Sequence, residues 1–107
     1  MSIDDLDEHL VVPKRLAIMG ILSSVKEVEF GYLREQLQVS DSDLSKQLKV
    51  LADAGYATTR RTGKGRTRAS WFAATDRGRT ALQAHAAALQ ALVDPVPPPV
   101  PAAVIDV

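Results

Sequence analysis

The fold is decided by residues 30–72, which read FGYLREQLQVSDSDLSKQLKVLADAGYATTRRTGKGRTRASWF. The start of this stretch predicts a helix over residues 29–37, because its apolar side chains recur three and four positions apart. After a short interruption, Ser40 is a suitable N-cap for a second helix, which runs to about Ala54 and ends before Gly55. The inner faces of the two helices carry Phe30, Leu33 and Leu37, and Leu44, Leu48 and Leu51. Two helices joined by so short a turn, with a strand after them, form a helix-turn-helix arrangement.

The segment after Gly55 predicts a two-stranded ribbon with a basic tip. Residues 56–61 and 68–74 are rich in threonine and aromatic residues, and Gly63 and Gly65 interrupt them. Residues 56–72 contain no acidic side chain, and their basic side chains are Arg60, Arg61, Lys64, Arg66 and Arg68. Since the whole chain has a formal net charge of +0, this excess belongs to the ribbon alone. It indicates contact with a phosphate backbone, and the alternative is a solvated hairpin whose charges hinder aggregation.

The flanking sequence predicts further helices and a tail. Pro13 suits the first turn of a largely buried helix that runs to about Val25, and Ser2 with Asp5 resembles a capping box. Thr75 can cap a last helix that continues to about Val93. Residues 1–93 are therefore expected to form one domain, and residues 94–107 a Pro-rich tail that is polyproline II or disordered.

Composition excludes several classes of function. The chain has no cysteine, and its two histidines, His9 and His85, are too few and too far apart to suggest a zinc site. No nucleophile–base pair or phosphate-binding loop is recognisable, so we expect neither an enzyme nor a cofactor. No apolar run approaches the length of a membrane span, and the acidic N-terminus is unlike a secretory signal, which predicts a cytoplasmic protein.

The second helix of the pair presents a polar outer face. With its leucines turned inward, the side chains expected to point outward are those of Ser42, Ser45, Lys46 and Lys49. In a helix-turn-helix this face enters the major groove of DNA, where hydroxyl and ammonium groups can reach base edges. The alternative is an ordinary solvated helix face, and the acidic side chains of Asp41, Asp43 and Asp53 do not favour phosphate binding.

The last helix carries an apolar seam formed by Leu82, His85, Leu89 and Leu92. So small a domain leaves little else to cover this seam, which predicts a homodimer contact. The alternative is that the seam packs on the chain's own core. His85 could face a ligand or respond to pH, whereas a hydrogen-bonded, partly buried histidine is the simpler interpretation.

Two runs of the chain carry a family resemblance: Phe30-Gly-Tyr-Leu-Arg-Glu-Gln-Leu37 and Ser40-Asp-Ser-Asp-Leu-Ser-Lys-Gln-Leu-Lys-Val-Leu-Ala-Asp-Ala-Gly-Tyr56. They resemble the winged helix-turn-helix transcriptional regulators of the MarR/ArsR type, and most of all the short winged-helix DNA-binding domain proteins. The run Trp71-Phe-Ala-Ala-Thr-Asp-Arg-Gly-Arg79 resembles their second wing strand and final helix, and Pro13-Lys-Arg-Leu-Ala-Ile18 their first helix. The thiolates with which ArsR proteins sense metals are absent, and Gln47 stands where many relatives have histidine.

The resemblance implies a mainly α-helical winged helix-turn-helix with a small β-hairpin wing, which binds double-stranded DNA as a dimer. Together with the basic ribbon, it predicts a sequence-specific transcriptional regulator, specifically a homodimeric repressor. The alternative is a winged-helix protein–protein interaction module. The operator, the regulated genes and any small-molecule effector cannot be read from the residues.

Overall fold

The computed structural model describes residues 2–94, which fold into four α-helices and one three-stranded antiparallel sheet. The helices are α1 (Pro13–Ser24), α2 (Phe30–Leu37), α3 (Asp41–Asp53) and α4 (Asp76–Val93). The strands are β1 (Val28–Glu29), β2 (Ala57–Thr62) and β3 (Ala69–Ala74), in the order β1-β3-β2. Single turns of 3₁₀ helix lie at Ile3–Asp5 and Gly65–Thr67. The predicted winged helix-turn-helix is therefore confirmed, whereas the predicted proline-rich tail lies outside the described residues.

The helix ends follow the caps that the sequence predicts. The Ser40 hydroxyl accepts a hydrogen bond from the backbone N–H of Asp43 at 3.1 Å, and the Thr75 hydroxyl accepts one from Gly78 at 2.9 Å. Ser2 and Asp5 form the capping box of the first 3₁₀ turn. These contacts satisfy backbone donors that the first turn of a helix leaves free, so α3, α4 and the first 3₁₀ turn begin where their caps are.

Strand boundaries differ slightly from the prediction. The N–H of Tyr56 donates to the carbonyl oxygen of Leu51 and closes α3, so β2 begins one residue later than expected. Glu29, predicted at the start of α2, instead belongs to β1. This two-residue strand is too short to produce a recognisable alternation, and it exists because β3 pairs with it.

The core lies between the helices and one face of the sheet. In the sheet register, Val28 is opposite Phe72, and both are buried, whereas Trp71 lies on the other face opposite Glu29. The prediction that one of the two adjacent aromatic residues belongs to the core is confirmed for Phe72. The fully buried apolar side chains come mainly from α1, α2 and α3, and the largest are Leu10, Ile18, Met19, Leu22, Leu33, Leu44 and Leu51. Among residues 2–94, no helix has the length and apolar character to cross a membrane.

The start of α4 packs directly on the end of α3. The Thr75 hydroxyl donates to the carbonyl oxygen of Gly55 at 2.6 Å, and its N–H donates to the carbonyl oxygen of Tyr56 at 3.0 Å. Gly55 has a φ of 79°, the left-handed conformation that a glycine adopts without strain after a helix. This junction holds α3 at a defined angle to α4 and to the strands that follow.

Candidate nucleic-acid interface

The outer face of α3 is exposed over its whole length. The four side chains predicted to point outward are those of Ser42, Ser45, Lys46 and Lys49. Ser42, Lys46 and Lys49 are exposed, and Ser45 at the edge of the face borders the groove described below. The Lys49 ammonium is 3.1 Å from a carboxylate oxygen of Asp53 one turn later, and both side chains remain mostly in solvent. The local helix period therefore predicted the orientation of this face correctly.

A polar network beneath α3 fixes this helix to α1. Gln47 is 8% exposed, and its amide oxygen accepts a hydrogen bond from Nη1 of Arg15 at 2.8 Å. The amide nitrogen of Gln47 donates to Asp43 at 3.0 Å, and Lys14 forms an ion pair with the same carboxylate. The hydrogen bond from Gln47, followed by that from Lys14, lowers the pKa of Asp43 below its ordinary value. Gln47 thus holds the helix in place from its buried side, and Asp43 is engaged within the chain rather than directed at a base.

Arg15 extends the network to the N-terminal segment. Its Nε donates to the carbonyl oxygen of His9 at 2.7 Å, while Nη1 reaches Gln47. One guanidinium therefore connects three parts of the chain through charge-assisted hydrogen bonds. The sequence contains no signal for this connection, since Arg15 and Gln47 lie 32 positions apart.

A groove of about 510 Å³ separates α3 from the inner face of the wing, which we define as β2, β3 and their connecting loop. Ser45 and Lys49 line it from the helix, and Thr59, Arg61 and Ser70 line it from the strands. Its walls also include apolar side chains such as Phe30, Leu48 and Phe72, and its polar groups are hydroxyls and basic groups, with no carboxylate. A smaller neighbouring cavity at the start of α2 is lined by Arg34 and Arg68, among other residues.

The alternation of β2 separates two adjacent arginines. Arg61 faces the groove beside α3, whereas Arg60 lies on the outer face of the sheet opposite Trp71. The Arg60 guanidinium pairs with Glu27 and lies 5.8 Å from the centre of the Trp71 ring. The hydrogen bond from Arg60 lowers the pKa of Glu27, and the same contact raises the pKa of Arg60. Of the five predicted wing contacts, Arg61 lines the groove, whereas Arg60 lies on the opposite face of the sheet.

The wing tip is an ordered turn rather than an open loop. Gly63 and Gly65 have φ values of 75° and 55°, and the N–H of Lys64 donates to the Thr67 hydroxyl at 3.1 Å. The side chains of Lys64, Arg66 and Arg68 are exposed, and none of them has a carboxylate partner within residues 2–94. A hydrogen-bonded turn therefore presents unpaired positive charge at the end of the wing.

The sequence that forms α3, the groove and the basic wing matches the model of a known protein family. The family described as "Winged helix DNA-binding domain" matches residues 14–93. The chain belongs to this family.

The chain is also similar to another protein in sequence and to solved structures in fold. An uncharacterized protein of Methanocaldococcus jannaschii is 33% identical over 70 residues, which cover 64% of this chain and 75% of that protein. A transcriptional regulator homologue from Pyrococcus horikoshii has a TM-score of 0.76 at 23% identity, and the match covers 82% of this chain and 87% of that one. The transcriptional repressor BigR from Xylella fastidiosa has a TM-score of 0.65 at 26% identity, with 89% and 88% covered. The resemblance predicted from the sequence is confirmed.

The side chains of the predicted seam on α4 are partly in the interior and partly at the surface of this winged helix domain. His85 is 1% exposed, and its Nδ1 accepts a hydrogen bond from the N–H of Asp7 at 2.9 Å. Leu82 packs against the core, Leu89 is half-buried, and Leu92 is 38% exposed. His85 is thus the buried histidine of the simpler interpretation, with a hydrogen bond at Nδ1 and no partner at Nε2 among residues 2–94, and its ring is not available to a second copy of the chain.

Asp7 joins α4 to the end of α3, a contact that sequence reasoning missed. Its carboxylate accepts a hydrogen bond from the Tyr56 hydroxyl and others from the N–H groups of His9 and Leu10. Burial of the phenol, together with the hydrogen bond to Asp7, raises the pKa of Tyr56 to about 12. Partial burial would raise the pKa of Asp7, but its three hydrogen bonds outweigh burial, so that pKa lies below the ordinary value.

Proposed function

We propose that this winged-helix protein is a sequence-specific transcriptional repressor that binds double-stranded DNA as a homodimer. The observation that carries the proposal is the grouping of exposed polar and basic side chains around one groove. The exposed face of α3 forms one wall, Arg61 lies on the other, and the unpaired charges of the wing tip extend beyond it. Since its proposed ligand is the cell's own DNA, we expect the protein to act in the cytoplasm.

Two sets of side chains take different roles in this proposal. Ser42, Ser45 and Lys46 on α3 would meet base edges in the major groove, where each base pair presents a distinct pattern of donors and acceptors. Lys64 and Arg66 at the wing tip would meet phosphates, which position the protein without reading sequence. The hydrogen-bonded turn at the tip supports this division, since its backbone needs little further ordering when the side chains meet phosphates.

Homodimer formation is proposed to involve the exposed end of α4. Leu92 and Val93 are 38% and 78% exposed, and Ile3 in the first 3₁₀ turn is 73% exposed. This turn packs against α4, so the exposed apolar side chains belong to neighbouring elements. Leu89 and Leu92 remain the proposed dimer contacts of the predicted seam. A two-fold dimer would carry two copies of α3 to paired half-sites on the duplex.

The repressor role is supported by the similarity to BigR, which is described as a transcriptional repressor. A repressor needs a surface that binds DNA but no separate surface that recruits the transcription machinery. The described residues form a single core, which is consistent with this simpler requirement. Reporter expression from the chain's own promoter, measured with and without the protein, would test this role. Lower expression with the protein is expected, and unchanged or higher expression would contradict it.

DNA binding is tested by fluorescence anisotropy on the protein's own upstream promoter and on a scrambled duplex, over a salt series. If a dimer neutralises about six to ten phosphates, affinity should fall by about 10³ to 10⁵ between 50 and 200 mM salt. Tighter binding to the promoter is expected. An affinity that does not change with salt would contradict the phosphate contacts, and absence of binding at low salt would favour a protein–protein interaction module.

A matched pair of variants tests the geometry rather than the charge alone. Arg66→Ala should weaken binding to both duplexes by a similar factor and lower the salt slope by about one for each phosphate that is no longer neutralised. Arg60→Ala removes the same charge from the outer face of the sheet and should change binding much less. Ser42→Ala should instead alter the preference between promoter and scrambled duplex. Equal effects of the two arginine variants would contradict the assigned orientation of the wing.

A further inference from the structure

The outer face of the sheet carries a second groove whose charged lining residues have the opposite sign to those of the groove beside α3. This outer groove has a volume of about 470 Å³ and lies between the end of α1, the start of α2 and β3. Its apolar walls include Val25, Tyr32 and Trp71, and its ionisable walls are the carboxylates of Glu27 and Glu29. No lysine or arginine lines it, whereas Lys49 and Arg61 line the groove beside α3.

The outer groove has the size and the exposed apolar surface of a small-molecule site. Its volume falls within the range of about 300 to 1,000 Å³ that is usual for ligand clefts. Tyr32 is 51% exposed and Val25 is 41% exposed, so two of its walls contact solvent in the part of the chain that the structure describes. Exposed aromatic and aliphatic side chains next to each other release water when an apolar ligand covers them.

The charges around the outer groove favour a cation as its ligand. Glu29 is directly opposite Trp71 in the sheet register, so the two side chains leave the sheet on the same face, and both line the groove. Glu29 is exposed and has no ion-pair partner within 4 Å among residues 2–94, although it also borders the smaller cavity that Arg34 and Arg68 line. Two basic side chains beside the groove are already engaged, since Arg60 pairs with Glu27 and Arg79 donates to the carbonyl oxygen of Val25 at 3.4 Å. An anion would meet the Glu29 carboxylate and would have to displace one of these contacts. A cation would gain both the carboxylate and the electron-rich face of the indole.

The chain's own Arg60 already demonstrates this mode of binding. Its guanidinium lies 5.8 Å from the centre of the Trp71 ring and pairs with Glu27. A planar, delocalised cation is therefore held between an aromatic face and a carboxylate at the rim of the groove. A ligand with the same charge and a larger apolar body would use the remaining walls, which Arg60 leaves uncovered.

We propose that the outer groove binds small organic cations with an apolar body, through the aromatic walls of Trp71 and Tyr32 and the carboxylate of Glu29. Such a ligand competes with Arg60 for the face of Trp71. The proposal stands on the outer face of the sheet alone and does not depend on DNA binding, so either proposal can fail without the other.

The test uses the intrinsic fluorescence of the full chain, because Trp71 is its one tryptophan. The probe is tetraphenylphosphonium, and its control is tetraphenylborate, which has nearly the same shape and the opposite charge. Saturable change of the emission with the cation, and at least about tenfold weaker binding of the anion, is expected. Equal affinity for the two ions, or no saturable change with the cation, would overturn the proposal.

Three variants separate the proposed site from general attraction of cations to the protein. Glu29→Gln should weaken binding of the phosphonium about fivefold, in keeping with the loss of one partly solvated charge pair. Glu35→Gln removes an equal charge from an exposed position of α2 outside the groove and should leave the affinity unchanged. Arg60→Ala removes the internal competitor and should tighten binding. Equal effects of the two glutamate variants, or weaker binding by Arg60→Ala, would contradict the assigned site.

Discussion

Substitution of Gly78 by alanine should disrupt the junction between α3 and α4. Gly78 is the third residue of α4, and it is buried against the backbone of Tyr56. A Cβ atom added there would lie 3.0 Å from the carbonyl carbon of Tyr56 and closer still to the carbonyl oxygen. It would also lie 2.8 Å from Cε of Met19. The methionine can move aside, but the Tyr56 carbonyl is held because it accepts a hydrogen bond from Thr75.

The expected magnitude follows from two opposing terms. Alanine is favoured over glycine in a helix by about 1 kcal/mol. Overpacking of a filled site costs about 1–3 kcal/mol, and a collision with backbone belongs at the upper end of this range. We therefore expect Gly78→Ala to lower the free energy of unfolding by about 2 kcal/mol. In a domain of this size that corresponds to a fall in Tm of about 8–16 °C.

Gly20 provides the matched control. It is an exposed residue within α1, and a Cβ atom added there meets no heavy atom within 4 Å. Gly20→Ala should therefore stabilise the protein by about 0.5–1 kcal/mol through helix propensity alone. Thermal and urea unfolding at a fixed protein concentration measure both variants. If Gly78→Ala were as stable as the parent chain, or shifted in the same direction as Gly20→Ala, the close packing of α4 on Tyr56 would be refuted.

Three further predictions concern the hydrogen bonds that position α3. Because the raised pKa of Tyr56 favours the protonated phenol in the folded chain, stability from this group is present below pH 10 and is lost between pH 10 and about 12. Tyr56→Phe, which also removes the bond to Asp7, should abolish this decline in unfolding experiments at about pH 9 to 12, and an unchanged decline would assign it to other groups. Ser40→Ala removes the cap of α3 and should lower the free energy of unfolding by about 1 kcal/mol in urea, whereas no measurable loss would contradict the cap. Gln47→Leu should cost about 1–3 kcal/mol, because it leaves a donor of Arg15 without its partner. A double-mutant cycle with Arg15→Met should give a coupling of at least about 0.5 kcal/mol, and additive effects would contradict the contact.

The local features of the chain were predictable because they depend on residues a few positions apart. The caps at Ser40 and Thr75 bind backbone groups three residues later, and the outer face of α3 follows from its helical period. The two strands of the wing were predicted to within one residue at their starts. Gly55 was predicted at the end of α3 for the same reason, since a left-handed residue closes a helix locally.

The sequence did not predict which side chains of each strand lie on the face of the sheet that meets α3. Alternation implies that Arg60 and Arg61 point to opposite sides of β2, but it does not say which side meets α3. That choice depends on where Phe72 and Val28 enter the core, and therefore on packing against the helices. Only the folded chain shows that Arg61 borders the groove beside α3 and that Arg60 pairs with Glu27.

The sequence by itself determined the order of the four helices and the two wing strands, the caps at Ser40 and Thr75, the basic wing and the membership of a winged helix family. Each of these depends on composition or on contacts within one element. The tertiary structure alone decided the contact of Asp7 with His85, which are 78 positions apart, and the burial of Gln47 on the inner face of α3. Such contacts form only when separate elements pack together. They join residues that are far apart in the sequence, so no local pattern of residues predicts them.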